Sequence, residues 1–170
     1  MIFYNSNLKC KKMRTHWIAM VFLGFFLLPS IPGNSQNPDK RQLADIASIK
    51  QAGADLDSAY NRRDAKAFSE LFLDDADFQW HTGDLLKNRK EIEQYFTNSF
   101  TVMPADYRHI TTFQRIRFLS SDLAIGDGTV VIARDGAVEN EKPYLSVLFT
   151  CVGKKVKGQW RIAAIRLMLV

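Results

Sequence analysis

The spacing of apolar residues is helical in the first part of the domain. Apolar positions three and four apart run from Ile46 to Tyr60, which predicts a helix with one face against a core and Asp39 as its N-cap. Asp64 can cap a second, shorter helix, and Asn88 opens a third with a capping-box-like segment. The pattern therefore predicts three helices, each with one apolar face.

Alternation of apolar and polar residues marks the strands. The run from Asp74 to His81 predicts a first strand, and the residue pattern from position 107 to the end of the chain is typical of β-strands. Four long strands are predicted there: Tyr107–Leu119, Leu123–Arg134, Tyr144–Val152 and Trp160–Leu169. The connections are short and polar or contain glycine, so these strands should form an antiparallel meander. The sequence shows no alternation of strands and helices that would predict parallel βαβ units. The fold class is α+β in one domain.

The first 35 residues predict a cleavable secretory signal peptide. A basic stretch precedes an apolar run, Trp17–Leu28, and a polar exit, Pro29–Ser35, follows it. The apolar run is short of the roughly 18 to 20 residues that span a bilayer, so a permanent membrane anchor is the weaker alternative. Cleavage is expected near Ser35 and Gln36, whether translation starts at Met1 or Met13. The prediction is a signal peptide at 1–35, a linker at 36–39 and a secreted or periplasmic domain at 40–170.

The net charge argues against a nucleic-acid partner, and the cysteine content argues against an intramolecular disulfide. The net charge of +5 includes four basic residues that precede the apolar run, and without them 19 basic residues face 18 acidic ones. The electrostatic case for a nucleic-acid partner therefore disappears. Only Cys151 remains after cleavage, so no intramolecular disulfide is possible, and its apolar surroundings favour a buried, unreactive thiol.

Five sequence segments, in the order and at the spacing of one family, resemble that family. They are Tyr60–Ala65, Leu71–Phe78, Asn88–Ile92, Phe118–Ala124 and Gly158–Ala163. Together they resemble the SnoaL-like branch of the nuclear transport factor 2-like superfamily. The resemblance implies a cone: a curved antiparallel sheet, also called a cystatin-like roll, packed on three N-terminal helices and enclosing a hollow. The superfamily includes ketosteroid isomerases, polyketide cyclases, dehydratases and members that only bind or assemble, so fold alone selects no function.

The chain departs from the ketosteroid isomerase pattern at three places. Leu56 stands where those relatives carry a tyrosine, and Trp80 stands where they carry a carboxylate base. The strand Tyr144–Val152 contains no acid. A proton shuttle on a ketone needs a base and an oxyanion donor, so these departures argue against that activity.

Aromatic and histidine side chains are the first site candidates. Tyr60 and Trp80 are predicted to line the mouth of the cone, where a flat apolar ligand stacks, with core packing as the alternative. His109 is a candidate base on the inner face, whereas parity places His81 toward solvent. The spacing supplies no convergent metal ligands, and no cofactor is expected.

Two charged residues complete the candidate set. Asp127 lies between Gly126 and Gly128, so it is either an inward acid or base or is turned outward by a bulge. Arg166 is predicted on the same face of its strand as apolar residues, so its guanidinium needs an anionic partner. That partner is either Asp127 or a carboxylate on a ligand.

The leading hypothesis is a domain that binds a small apolar or mildly acidic molecule in its cone. The alternative is a lyase, isomerase or cyclase that uses Asp127 or His109 as general base, with Tyr60 or Arg166 as electrostatic partner. A third alternative is an assembly module without a ligand. Apolar residues on both faces of Tyr144–Val152 also predict a homodimer.

Overall fold

A computed structural model describes residues 39–137 and 141–169. The predicted signal peptide and almost all of the linker lie outside the described residues. Three helices and six strands follow one another: α1 Lys40–Asn61, α2 Ala65–Ser69, β1 Phe72–Gln79, β2 Leu85–Leu86, α3 Arg89–Val102, β3 Tyr107–Phe118, β4 Leu123–Arg134, β5 Leu145–Val156 and β6 Gln159–Leu169. Among these described helices, none has the length and apolar content needed to cross a membrane.

Each helix begins at the cap that the sequence predicts. The side chain of Asp39 accepts a hydrogen bond from the Gln42 amide at 2.7 Å, and Asp64 does the same for Ala67 at 2.9 Å. Asn88 accepts from the amide of Glu91, whose carboxylate in turn accepts from the Lys87 amide. These bonds satisfy amides that the first helical turn leaves free, so the three predicted starts are confirmed.

The six strands form one sheet in the order β2-β1-β6-β5-β4-β3. Strands β3 to β6 pair antiparallel with their neighbours in sequence, as predicted. The expectation of a wholly antiparallel sheet is wrong at one place, because β1 pairs parallel to β6, with Gln79 opposite Arg166. The chain reaches this pairing through α3 and the whole meander. Strand β2, which pairs with the end of β1, was not predicted because it has only two residues.

The hairpin between β5 and β6 is tighter than the sequence suggested. Strand β5 continues to Val156, and the turn needs only Lys157 and Gly158, with φ angles of 50° and 82°. Two successive residues with positive φ match the right-handed twist of paired strands, and glycine adopts this conformation without strain. Residues 153–156, which the predicted strands left in the connection, therefore belong to β5.

The helices cover one face of the sheet, and the core lies between them. Residues with no exposed surface come from both layers, including Phe72, Ala76, Ile92 and Val147. Alternate residues of β4 point into this layer, and their neighbours point to the opposite, outer face. This alternation decides which candidate residues can reach an enclosed site.

One buried charge also lies in this layer. Asp45 of α1 forms an ion pair with Lys155 and accepts a hydrogen bond from Trp160 Nε1 at 3.1 Å. These two donors, led by Lys155, hold the pKa of Asp45 below its ordinary value despite burial, which acts in the opposite direction. The contact ties the first turns of α1 to the β5–β6 hairpin. The sequence analysis did not single out Asp45.

Candidate functional site

An inner cavity of about 80 Å³ lies between α1 and the inner face of the sheet. Its wall is apolar, with aromatic rings from helices and strands. Among the lining residues are Leu56, Phe68, Phe72, Phe113, Val130, Phe149 and Ile165. Such a wall removes bound molecules from water and strengthens any electrostatic interaction inside.

His109 is the histidine that lines this cavity. It lies on the inner face of β3 and retains 7% of its surface, the low exposure of a core residue. Its Nδ1 atom lies 2.7 Å from Oδ1 of Asp57. Since a carboxylate accepts hydrogen bonds, Nδ1 carries the proton and Nε2 is left as the basic nitrogen. Within residues 39–137 and 141–169, no group makes a hydrogen bond to Nε2.

Asp57 is held by three hydrogen bonds from β3. Besides His109, it accepts from the Thr111 amide at 2.9 Å and from Thr111 Oγ1 at 2.6 Å. Its side chain is 20% exposed, so the carboxylate is largely shielded from solvent. Three fixed donors orient the carboxylate, and the carboxylate orients the imidazole. This is the arrangement by which an acidic residue sets the tautomer of a histidine base.

Asn61, one turn after Asp57, fixes the backbone of the same histidine. Its Oδ1 accepts from the His109 amide at 2.7 Å, and its Nδ2 donates to the His109 carbonyl at 3.1 Å. Both polar residues border the apolar stripe of α1. Sequence reasoning missed Asp57, and the available signal was this pair of polar residues four apart beside Leu56 and Tyr60.

Tyr60 lies against the histidine ring. The two ring centroids are 4.5 Å apart, and the tyrosine is 2% exposed. Its hydroxyl donates to the sulfur of Met103 at 3.0 Å. Burial raises the pKa of Tyr60 well above its ordinary value, so the phenol stays protonated. Tyr60 therefore forms a neutral wall of the cavity beside the base.

A second, larger hollow of about 570 Å³ adjoins the inner cavity, and we call it the mouth hollow. The two share five lining residues: Tyr60, Trp80, Phe96, Ile132 and Leu145. Trp80 thus faces both spaces. His81 lines the mouth hollow and is half-buried, where the sequence predicted a solvent-facing side chain, because the turn after β1 folds back toward β2.

Asp127 lies on the outer face of the sheet, away from the inner cavity. A Cβ at Gly126 would come within 2.8 Å of the Phe113 ring, and one at Gly128 within 2.1 Å of the Thr112 carbonyl oxygen. Both glycines face the inner side, and because side chains alternate along a strand, Asp127 between them points outward. There Asp127 accepts a hydrogen bond from Thr150 at 2.8 Å.

Arg166 is also on the outer face, opposite Thr150 of β5. It forms an ion pair with Asp77 of β1 instead of the expected Asp127, because β6 lies next to β1. That hydrogen bond raises the pKa of the Arg166 guanidinium, so the charge is permanent. Of the predicted site residues, Tyr60, Trp80 and His109 line the cavity, whereas Asp127 and Arg166 do not.

Cys151 lines the cavity but is not a nucleophile. Burial raises the pKa of its thiol to about 11, which leaves little thiolate at neutral pH. In the described part of the chain, no group of three or more histidine, cysteine, aspartate or glutamate side chains is arranged to hold a metal ion. The chemistry available at the wall is therefore that of His109 with Asp57.

A curved mixed sheet over three helices, with a titratable pair inside, defines a cone-shaped α+β protein of the nuclear transport factor 2-like class. The chain belongs to the SnoaL-like domain family, whose sequence model matches residues 41–166. The predicted resemblance and fold class are thereby confirmed. A comparison with curated proteins gave no match.

Solved structures with the same fold include several bacterial proteins. A domain of unknown function with a cystatin-like fold from Nostoc punctiforme is 24% identical, with a TM-score of 0.65 over 75% of this chain and 78% of its own. An NTF2-like protein from Novosphingobium aromaticivorans is 19% identical, with a TM-score of 0.66 over 76% and 84%. A type 2 hexachlorocyclohexane dehydrochlorinase is 21% identical, with a TM-score of 0.63 over 75% and 86%. These likenesses show the fold.

Proposed function

We propose that the domain binds a small molecule in the inner cavity and that His109 removes a proton from a carbon atom of it, in a lyase or isomerase reaction. The observation that carries this proposal is the 2.7 Å contact between His109 Nδ1 and Asp57 Oδ1 at the wall of an apolar cavity. Besides His109, the amide and hydroxyl of Thr111 hold this carboxylate in position. The enzyme alternative drawn from the sequence is thus preferred, with His109 and not Asp127 as base.

The proton balance needs no further reactant. Nε2 of His109 takes the proton from carbon, and Asp57 stabilises the imidazolium that forms. In an isomerisation, the imidazolium returns the proton to a different carbon of the same molecule. In an elimination, it passes the proton to the leaving group. Either course restores neutral His109 at the end of the turnover.

The surroundings of His109 suit a reaction that depends on a weak base. Apolar walls exclude water, and the neutral Tyr60 ring covers one face of the imidazole. One structural neighbour is named as a hexachlorocyclohexane dehydrochlorinase, so an elimination has been attributed to this fold. At 21% identity, that likeness supports the geometry of the cavity and not a shared substrate.

Deuterium exchange tests the proton removal without knowledge of the natural substrate. The probe is 2-tetralone, an uncharged fused-ring ketone with acidic C–H bonds, incubated with the protein in D₂O and followed by mass spectrometry. The native domain should accelerate deuterium incorporation over buffer, and His109→Gln should lose that acceleration by about 100-fold, the usual contribution of a general base.

Arg166→Gln is the matched control, because it changes a polar residue on the outer face of the same sheet. It should retain the full exchange rate. Equal exchange with the native domain and His109→Gln would contradict the assignment of His109 as the base.

We further propose that the domain acts outside the cytoplasm and as a homodimer. The basic, apolar and polar segments of residues 1–35 support export, and N-terminal sequencing of protein from its host should begin near Gln36. Exposed apolar residues on the outer sheet face support self-association; they are Ile110, Leu148 and Met168.

A further inference from the structure

The end of α1 covers part of the sheet edge that β3 forms. Among the described residues, β3 is the last strand of the sheet, so alternate backbone groups along it have no neighbouring strand to bond. At Tyr107, His109 and Thr111, these groups bond side chains instead. The side chains come from one short stretch of the chain; they are Asp57, Asn61 and Arg63. The position of β3 on α1 is therefore set at three successive points along this edge.

Arg63 lies beyond the helix, and its backbone conformation is unusual for a residue with a side chain. Its amide donates to the Tyr60 carbonyl, and the next amide, of Asp64, donates to the Ala59 carbonyl, both at 2.9 Å. The φ angle of Arg63 is 61°, in the left-handed region, where helices that end in this way usually carry glycine. A residue with a Cβ costs free energy at such a position and persists there when the surrounding structure holds it.

The guanidinium of Arg63 holds three segments of the chain together. Nη1 donates to the Tyr60 carbonyl at 3.1 Å, and Nη2 donates to the carbonyls of Pro104 and Tyr107 at 2.6 Å and 3.0 Å. The carbon atom Cζ also lies 5.6 Å from the ring centroid of Tyr60 and 5.8 Å from that of Phe100. A planar group with fixed donors can bond the end of α1, the loop before β3 and β3 itself at once, which a lysine cannot do.

Each of these three segments carries a residue that surrounds the candidate base. Tyr60 packs against the imidazole of His109, and His109 follows Tyr107 by two residues in β3. Met103, in the loop before β3, accepts the hydrogen bond from the Tyr60 hydroxyl. If the segments separated, the contact between His109 and Asp57 would lengthen. A displacement of about 1 Å at a catalytic group is enough to slow a reaction steeply.

Arg63 lies apart from the two spaces that a ligand would fill, as the described residues define them. It is half-buried and borders a separate surface hollow of about 560 Å³, together with Arg62, Lys66 and Phe100. Any effect of Arg63 on the reaction must therefore pass through the segments that its guanidinium bonds.

We propose that Arg63 is a positioning residue for the general base. Its guanidinium fixes the start of β3 on α1, so that Asp57 keeps the proton of His109 on Nδ1 and leaves Nε2 free to take a proton. The proposal deepens the proposed function and rests on it for the effect on the reaction rate. The effect on the imidazole does not depend on that function.

Arg63→Gly tests the proposal, because glycine suits the backbone at this position and the substitution removes the guanidinium. In the deuterium-exchange assay with 2-tetralone, we expect the maximal rate to fall about tenfold and KM to stay within about twofold. The Nδ1–H signal of His109, sharp in the ¹H–¹⁵N spectrum of the native domain, should broaden as water gains access to it. Arg62→Gly is the matched control, since Arg62 donates to Ser58 within α1, and it should keep the native rate and signal.

Free guanidinium ion should restore part of what the substitution removes. The surface hollow leaves the place of the lost group open to solvent. Guanidinium chloride, at a concentration well below that which unfolds proteins, should raise the rate of Arg63→Gly about threefold and sharpen the Nδ1–H signal. Sodium chloride at the same concentration should do neither. A general weakening of the fold would not be reversed in this way, because guanidinium favours unfolding.

The outcomes separate this proposal from the proposed reaction. An unchanged Nδ1–H signal in Arg63→Gly, a rate equal to that of an active native domain, an equal loss in Arg62→Gly, or a loss that guanidinium does not restore would overturn the role of Arg63. If the native domain does not accelerate exchange, the proposed reaction fails, and the Nδ1–H signal with its recovery decides the role of Arg63. If Arg63→Gly does not fold, Arg63→Lys takes its place and should show the same losses to a smaller degree.

Discussion

Asp57 and His109 lie 52 residues apart in the chain, yet their side chains meet at 2.7 Å between Oδ1 and Nδ1. Helix α1 brings the carboxylate and strand β3 brings the imidazole. The same carboxylate accepts two bonds from Thr111, so the geometry of the pair is set by the packing of α1 on β3.

Replacement of Asp57 should change the tautomer of His109. In Asp57→Asn, the amide can donate as well as accept, so the imidazole is no longer restricted to Nδ1–H. Two-dimensional ¹H–¹⁵N spectra of the imidazole nitrogens should show Nδ1–H in the native domain and a mixture in the variant. Thr111→Val is the control and should keep the native tautomer, whereas an unchanged Asp57→Asn spectrum would exclude this role.

Gly53→Ala should destabilise the domain although alanine favours helices. A Cβ at position 53 would lie 2.8 Å from the Phe113 ring, which is also confined by Gly126 and Phe149. Overpacking of this kind costs about 1 to 3 kcal/mol and exceeds the gain of about 0.5 to 1 kcal/mol in helix propensity. Urea denaturation should show a net loss of about 1 kcal/mol.

The background Phe113→Leu gives the matched control for this effect. The shorter side chain relieves the contact, so Gly53→Ala in that background should be neutral or stabilising. A loss of equal size in both backgrounds would show that Phe113 is not the cause.

Asp45 should make the stability of the domain depend on acidic pH. Its pKa is lowered in the folded state, so its contribution is complete above the ordinary pKa of 3.8 and is lost as the pH falls through the folded value. Asp45→Asn should cost about 1 to 3 kcal/mol at pH 7, since it leaves a partly exposed Lys155 without its partner. Urea denaturation from pH 7 to pH 2 should show this difference shrinking below pH 4, and a constant difference would contradict the assignment.

Substitutions on the outer face should leave the proposed reaction unchanged. Asp127→Asn and Arg166→Gln both lie across the sheet from the cavity, so the rate of deuterium exchange into 2-tetralone should stay within about twofold of the native rate. Each should lower the free energy of unfolding by about 1 kcal/mol or less, as expected for partly exposed polar contacts. A tenfold loss of the exchange rate in mass spectrometry would place either residue in the site after all.

The same outer face provides the test of the predicted homodimer. Leu148 is 36% exposed and lies opposite the 44% exposed Met168 of β6. If this face is buried between two copies, Leu148→Glu should shift the mass measured by sedimentation velocity from dimer to monomer. Lys66→Glu, a charge change on α2, should leave the mass unchanged. A native domain that stays monomeric at high concentration would contradict the prediction.

Local patterns in the sequence predicted most of the elements and the fold class. Helix caps at Asp39, Asp64 and Asn88 are local signals, because each side chain bonds an amide three residues away. Alternation likewise placed the four long strands to within a few residues. Such features depend on neighbours in the chain, which the sequence shows directly.

The identity of the polar residues that meet inside the cavity depends on how distant elements pack together. Parity allowed Asp127 to face either way, and the outcome depends on Phe113 and Thr112 of another strand, which leave no space for a Cβ at Gly126 or Gly128. The partners of His109 and Arg166 depend on the packing of α1 on β3 and on the parallel pairing of β1 with β6. These contacts join residues far apart in sequence, so the local spacing of residues does not predict them.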